Sequence, residues 1–312
     1  MMDTLRLGDD IEASRIAYGC MTLGGLDRQA DADAAVGAAL DGGITLFDHA
    51  DIYGRGRSEE VFGRVLADRP GLRDRIVLQS KCGIRFADDP AGAPARYDLS
   101  YDHIVSSVEG SLRRLGTDRL DVFLLHRPDP LMDPAEVARA FADLHAAGKV
   151  RAFGVSNCSV AQVDLLQAAL DRPLVANQVQ LSLLHLGPID AGVEVNRPGG
   201  ATHAAGLVES CWQRGLRVQA WAPTAGGALS RAEPDPAHRA LAEHVRAVAD
   251  RFGASPLAVV IAWLLRHPAG IQPVVGTTNP DRIAAACAAT EVTLSRDDWY
   301  GLFIAARGRP LP

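Results

Sequence analysis

The chain predicts a closed (β/α)8 barrel, and three observations carry that prediction. Short apolar runs alternate with longer amphipathic stretches along all 312 residues, the pattern of repeated βα units around a parallel sheet. Eight such apolar runs occur, the strand number of a closed barrel. The segment after the first run reads Gly19-Cys20-Met21-Thr22-Leu23-Gly24-Gly25, which departs from the G-x-G-x-x-G of an open dinucleotide-binding sheet, and no P-loop occurs elsewhere.

Taken in order, the strands are expected at 16–19, 45–48, 76–81, 122–125, 152–155, 176–180, 217–221 and 272–275. Helices are expected near 30–41, 59–67, 102–115, 134–147, 160–169 and 207–214, with two more at 237–252 and 256–266 and two that close the chain. Pro134 behind Asp133 and Pro256 behind Ser255 look like first-turn prolines after capping residues. The stretches 85–100, 184–205 and 222–236 follow strands and are rich in Gly, Pro or charge, so they are expected as loops over one mouth of the barrel. No repeat, low-complexity segment or linker divides the chain, and 1–312 is read as one domain.

Composition excludes several classes of function. Hydrophobic residues make up 47% and charged residues 22%, enough for a large buried core. The net charge of -6 comes from interspersed charges without a basic block, which argues against nucleic acid or an anionic membrane surface as partner. The longest apolar run, 257–265, is too short to cross a bilayer, and the amino terminus lacks a cationic segment before an apolar stretch, so a cytoplasmic location is expected. Five scattered cysteines (Cys20, Cys82, Cys158, Cys211, Cys287) have no zinc spacing and are expected to be buried free thiols.

In a barrel, chemistry is assembled at the carboxyl ends of the strands. The second run ends in Asp48 and continues to Tyr53, the third ends in Lys81, and the fourth is followed by His126. Lys81 stands out because the chain has 30 arginines and only one other lysine, Lys149, and an ammonium is a compact charge that a guanidinium does not replace. A cation beside a phenol favours the phenolate, so Lys81 is expected to lower the pKa of Tyr53; Asp48 would hold Lys81, and His126 would bond a substrate oxygen. No metal is expected, since no His or Cys pair has chelating spacing and a lysine would repel the ion. The later strand ends supply Ser156, Asn157 and Gln178, amide and hydroxyl groups suited to a planar carboxamide, and Trp221, a flat ring for stacking. After the eighth run, Gly276-Thr277-Thr278-Asn279 leads into a helix bearing Arg282, a place where amides and the helix dipole favour a phosphate.

The sequence resembles the aldo-keto reductase superfamily from about Gly19 to the last helix, most specifically in Asp48-His49-Ala50-Asp51-Ile52-Tyr53-Gly54, Ser80-Lys81-Cys82-Gly83, Leu124-Leu125-His126-Arg127-Pro128-Asp129, and Gly148-Lys149-Val150-Arg151 with Gly154-Val155-Ser156-Asn157. The forms DHADIYG, SKCGI and HRPDPLM are similar to one bacterial subgroup. The resemblance implies a (β/α)8 fold and reversible hydride transfer between NADP(H) and the carbonyl of a small molecule. It implies a tetrad of Asp48, Tyr53, Lys81 and His126, with Ser156, Asn157 and Gln178 on the nicotinamide carboxamide and Trp221 stacked on its ring. Further cofactor contacts are expected from Gly19, Met21, Asp48, Ala222, Thr224, Gly276, Thr277, Thr278, Asn279 and Arg282. The family often has a lysine at the position of Gly276, and Glu or Gln then Asn at Ala285 and Ala286, which leaves Arg282 as the main cation for the adenosine 2′-phosphate. Substrate contacts are expected from Met21, His49, Tyr53, His126 and the loops at 85–97 and 184–205. Lys149 falls in a turn away from the mouth and is expected to be structural. Two other readings stay open: a nicotinamide-binding regulatory subunit with little turnover, and a barrel isomerase or lyase with Lys81 as Schiff-base amine.

Overall fold

A hairpin of β1 (Thr4–Leu7) and β2 (Ile11–Ser14) opens the chain and precedes the first barrel strand, β3 (Ala17–Gly19). The computed structural model describes residues 2–194 and 206–312, so the part of the 184–205 loop beyond 194 lies outside the described residues. After β3 come α1 (Gln29–Asp41), β4 (Leu46–Asp48), α2 (Arg57–Ala67) and β5 (Val77–Cys82); a small hairpin of β6 (Ile84–Arg85) and β7 (Arg96–Tyr97) then leads to α3 (Tyr101–Leu115) and β8 (Leu120–Leu125). The chain continues through α4 (Pro134–Ala146), β9 (Val150–Ser156), α5 (Val160–Gln167), β10 (Ala176–Gln180), α6 (Gly187–Val193), α7 (Leu207–Gln213) and β11 (Arg217–Trp221). It ends with α8 (Arg239–Phe252), α9 (Pro256–Leu265), β12 (Gln272–Val275), α10 (Pro280–Cys287) and α11 (Arg296–Arg307).

Eight parallel strands close in the order β10-β11-β12-β3-β4-β5-β8-β9, the predicted barrel. The two prolines sit at helix starts as expected, behind Asp133 and Ser255, whose side chains accept from Ala135 N and Ala258 N. Three differences have local causes. The hairpin β1–β2 was not predicted; it closes the lower end of the barrel, and Thr45, expected to open a strand, is tied to it by two 2.9 Å bonds, Ser14 N to Thr45 Oγ1 and Thr45 N to Ser14 Oγ. The loop at 85–100 contains β6 and β7, and α6 occupies part of the second strand-following stretch, 184–205. The five cysteines are all buried and free. Among the described residues no single helix is long and apolar enough to cross a membrane.

Side chains alternate strictly across the barrel wall. Leu46, Val77, Val122, Leu124, Ala176 and Val274 join the hairpin's Leu7, Ile11 and Ala13 in one inner cluster, while Phe47, Leu78, Phe123 and Leu125 pack outward under the helices. The same parity turns Asp48, Gln79, Lys81, Gln178 and Gln219 inward, above the apolar layer. Gly154 is required on this inner face, because a Cβ there would lie 2.6 Å from Leu124 Cδ2 and 2.7 Å from Ala176 O.

Candidate active site

The residues of the predicted tetrad meet at the carboxyl mouth. Lys81 is wholly buried, and its ammonium spends its three N–H groups on Asp48 Oδ2 at 2.7 Å, His49 O at 2.7 Å and Tyr53 Oη at 3.1 Å. The segment carrying Tyr53 is pinned to β5 by backbone bonds, His49 N to Gln79 O at 2.8 Å and Asp51 N to Lys81 O at 3.0 Å. Tyr53 then lies in a tight turn whose next residues, Gly54 and Arg55, have φ of 58° and 57°. The rings of Tyr53 and His126 meet edge-on, 5.8 Å between centroids.

Electrostatics follow from burial. Burial works against the Lys81 charge, but Asp48, the phenol of Tyr53 and the bonds to both outweigh it, and the ammonium is held above the ordinary lysine range. Tyr53 corrects the sequence-based expectation: burial raises its pKa above the ordinary value, and Lys81 only partly offsets this, with Asp48 pushing up as well. The phenol is therefore a held proton. Burial, then Lys81 and Arg127, lower His126 to about 2, so it is a neutral imidazole with one N–H.

His49 is a second correction. Its side chain is fully buried, edge-on to Phe62 at 4.7 Å between centroids, so it does not face a substrate; both ring nitrogens lack a partner, and burial with Lys81 lowers it to about 3. What His49 gives the site is its backbone carbonyl. Behind the mouth, buried Glu59 accepts from Ser80 Oγ at 2.6 Å and from Arg114 at 2.7 Å, fixing β5 to α2 and α3. Asp51 beside it is pushed up to about 7 by burial and by Glu59.

The amide groups foreseen for a carboxamide form one network. Ser156 Oγ donates to Gln178 O at 2.7 Å; Asn157 Nδ2 donates to Ser156 Oγ at 2.8 Å and His126 O at 3.3 Å; Trp221 Nε1 donates to Asn157 Oδ1 at 3.0 Å. Asn157 adopts φ 60° to do this, and Ala222 after Trp221 has φ 50°. Both N–H groups of Gln178 are used, on Asp48 Oδ1 at 3.1 Å and Gln219 Oε1 at 3.0 Å, so the group it offers a carboxamide is its Oε1. Arg127, whose guanidinium lies 5.8 Å from the Trp221 ring centroid, was not foreseen as a site residue.

The remaining candidates line a second stretch of the same mouth. Gly19 ends β3, Met21 follows it 59% exposed, and Thr22 Oγ1 donates to Gly276 O at 3.0 Å, joining that segment to the one after β12. Thr224 lies in the turn after β11, where its carbonyl accepts from Gly227 N. Thr277 and Thr278 are half-buried, and Asn279 caps α10, its Oδ1 accepting from Arg282 N at 3.0 Å. Arg282 is exposed on the first turn and makes no ion pair among the described residues. These groups fit a nicotinamide dinucleotide: an aromatic face and amide oxygens at one end, a helix start with a free guanidinium at the other. Among the described residues no cluster of His, Cys, Asp or Glu could hold a metal ion.

Sequence and fold comparisons agree with the barrel architecture. The model described as "Aldo/keto reductase family" matches residues 15–302. An "Uncharacterized oxidoreductase YcsN" of Bacillus subtilis (strain 168) is 39% identical over 315 residues, covering 100% of both chains. A "6-dehydroglucose reductase" of Agrobacterium fabrum is 39% identical over 99% of both. The crystal structure of an aldo-keto reductase from Klebsiella pneumoniae in complex with NADPH superposes with a TM-score of 0.79 at 28% identity, covering 100% of this chain and 96% of that one.

Proposed function

The chain belongs to the aldo/keto reductase family, and from that premise we propose that it reduces an aldehyde or ketone with NADPH, Tyr53 being the proton donor. One observation carries the assignment. The Lys81 ammonium can only donate, so the Tyr53 oxygen at 3.1 Å must accept from it, and the phenolic hydrogen is left for another acceptor. That acceptor is the substrate carbonyl oxygen, which also takes the N–H of neutral His126.

NADPH, when bound, supplies the hydride to the carbonyl carbon. Tyr53 gives its proton to the carbonyl oxygen, and the phenolate left behind is stabilised by the fully buried ammonium of Lys81, itself anchored by Asp48. Solvent returns the proton. Gln178 Oε1 would accept from the carboxamide N–H of the nicotinamide. Its oxygen would draw a donor from Asn157, whose 3.3 Å bond to His126 O is the longer of its two. Trp221 would cover the ring, Gly19, Met21, Ala222 and Thr224 would border it, and Gly276, Thr277, Thr278 and Asn279 would hold the adenosine end, with Arg282 on the 2′-phosphate.

The relative named 6-dehydroglucose reductase makes small polar aldehydes, sugar aldehydes included, the first substrates to assay. The test is a panel of aldehydes and ketones with NADPH and NADH side by side, followed by loss of the cofactor's 340 nm absorbance. Turnover with NADPH exceeding that with NADH is expected. Tight NADPH binding with no oxidation by any carbonyl would overturn the reading in favour of a nicotinamide-binding subunit.

A further inference from the structure

We infer that Gln219, on β11, is a positioning residue for the reaction, holding the Asp48 carboxylate through Gln79 and Gln178 and thereby fixing Lys81 and Tyr53. The inference rests on the reductase reading above. In a barrel of this class the interior is ordinarily filled by branched aliphatic side chains. Here the layer directly beneath Asp48 is made of amides instead, all of them buried.

The connections are specific. Asp48 Oδ1 accepts from Gln79 Nε2 at 2.5 Å and from Gln178 Nε2 at 3.1 Å, leaving Oδ2 for Lys81. Gln79 and Gln178 each give their second N–H to Gln219 Oε1, at 2.9 and 3.0 Å. Gln219 Nε2 in turn donates to Gln79 Oε1 at 3.1 Å and Gln272 Oε1 at 2.9 Å, and Gln272 Nε2 donates to Ser14 O at 2.7 Å. Strand order places β11 opposite β5 and β10 opposite β4, so the Gln79–Gln219 and Gln178–Asp48 bonds cross the barrel axis.

The polarity of this network has one solution. A carboxylate at one end and a main-chain carbonyl at the other only accept, and turning any one amide over would set oxygen against oxygen or N–H against N–H. Gln219 is the hub, with both N–H groups and its oxygen fully engaged. It is not a catalytic residue, since it touches neither substrate nor cofactor. Its effect passes through the two glutamines that grip Asp48, and an aliphatic residue there would free both to leave Oδ1.

The test is Gln219→Leu in the full-length protein, with activity normalised to NADPH-binding sites counted by fluorescence titration. We expect kcat per site to fall about tenfold or more while substrate KM and NADPH Kd stay within about threefold, because a positioning group acts on the chemical step. A kcat per site within about twofold of the parent would overturn the inference, even if the melting temperature fell, since a merely structural role changes the number of folded sites and not their rate. If Gln219→Leu does not fold, Gln272→Leu decides: removal of one acceptor from Gln219 should lower kcat per site about threefold, and an unchanged value would overturn the inference. Failure of the reductase reading would look different, as absence of turnover in the parent enzyme.

Discussion

The two mouths of the barrel solve the same backbone problem with different residues. Below, the turns into β9 and β11 take positive φ at glycine, Gly148 at 71° and Gly215 at 70°. Above, the same two strands run out into Asn157 at φ 60° and Ala222 at φ 50°, residues with a Cβ in a conformation that glycine adopts freely. The lysines divide in the same way. Lys149, in the lower turn, pairs with Glu109 where the side chains are 37% and 35% exposed; Lys81, at the upper mouth, pairs with Asp48 at 0% and 3%. The two lower turns are built from groups in their preferred states. The upper end retains strained backbone, a buried ion pair and unpartnered imidazole nitrogens, costs that stability does not repay and function can.

Four substitutions sharpen or break this contrast, in descending order of expected effect. Lys81→Arg should lower kcat by about a thousandfold, nearly as much as Lys81→Met, because a wide planar guanidinium cannot place three N–H groups on Asp48, His49 O and Tyr53 in a fully closed space. Steady-state rates of the two variants check it, and substantial activity in the arginine variant would show that any cation suffices.

His49→Leu addresses acid stability. The folded value of His49, about 3, lies below the unfolded value near 6.5, so the unfolded chain binds an extra proton in between and stability falls as pH drops below about 6.5. From pH 7 to pH 5 the variant should therefore lose about 2 kcal/mol less than the parent by urea titration. Comparing the two cancels Asp51, which works in the opposite direction because its folded value of about 7 lies above the unfolded one. Equal losses would mean that the His49 ring is not held neutral.

Ala222→Gly should stabilise the protein by about 0.5–1 kcal/mol by relieving the left-handed backbone, with kcat within about threefold, whereas a destabilised variant would show that Ala222 is unstrained. Lys149→Ala should change stability by no more than about 0.5 kcal/mol and leave kcat alone, as for any exposed ion pair. Thermal melts check both.

Much of the barrel was legible because its signal is local. Alternation fixes which face of each strand looks inward, and the tetrad falls at strand ends where a polar residue interrupts an apolar run, as in Phe47-Asp48 and Leu125-His126. What the sequence concealed depends on burial and on partners far along the chain. The pKa of Tyr53 rises because the pocket around it is closed, a fact absent from the motif DHADIYG. His49 lies one residue from Asp48 and so faces the helices, packed on Phe62, when the motif alone suggested the mouth. The β1–β2 hairpin had a readable sign in Gly8-Asp9-Asp10 between two short alternating runs. The glutamines did too, since Gln79 stands two residues before Lys81 and Gln219 two before Trp221, on the same inward face. Their contacts across the axis, 140 residues apart in sequence, did not.

The claim at the centre of this account is that Tyr53, held by Lys81, delivers the proton to the substrate. A single turnover of Tyr53→Phe with NADPH already bound tests it most directly, because binding and chemistry are then read separately. The account predicts an NADPH affinity within about twofold of the parent and a reduction rate lower by about a thousandfold or more. A rate near that of the parent, with the cofactor bound as tightly, would contradict it.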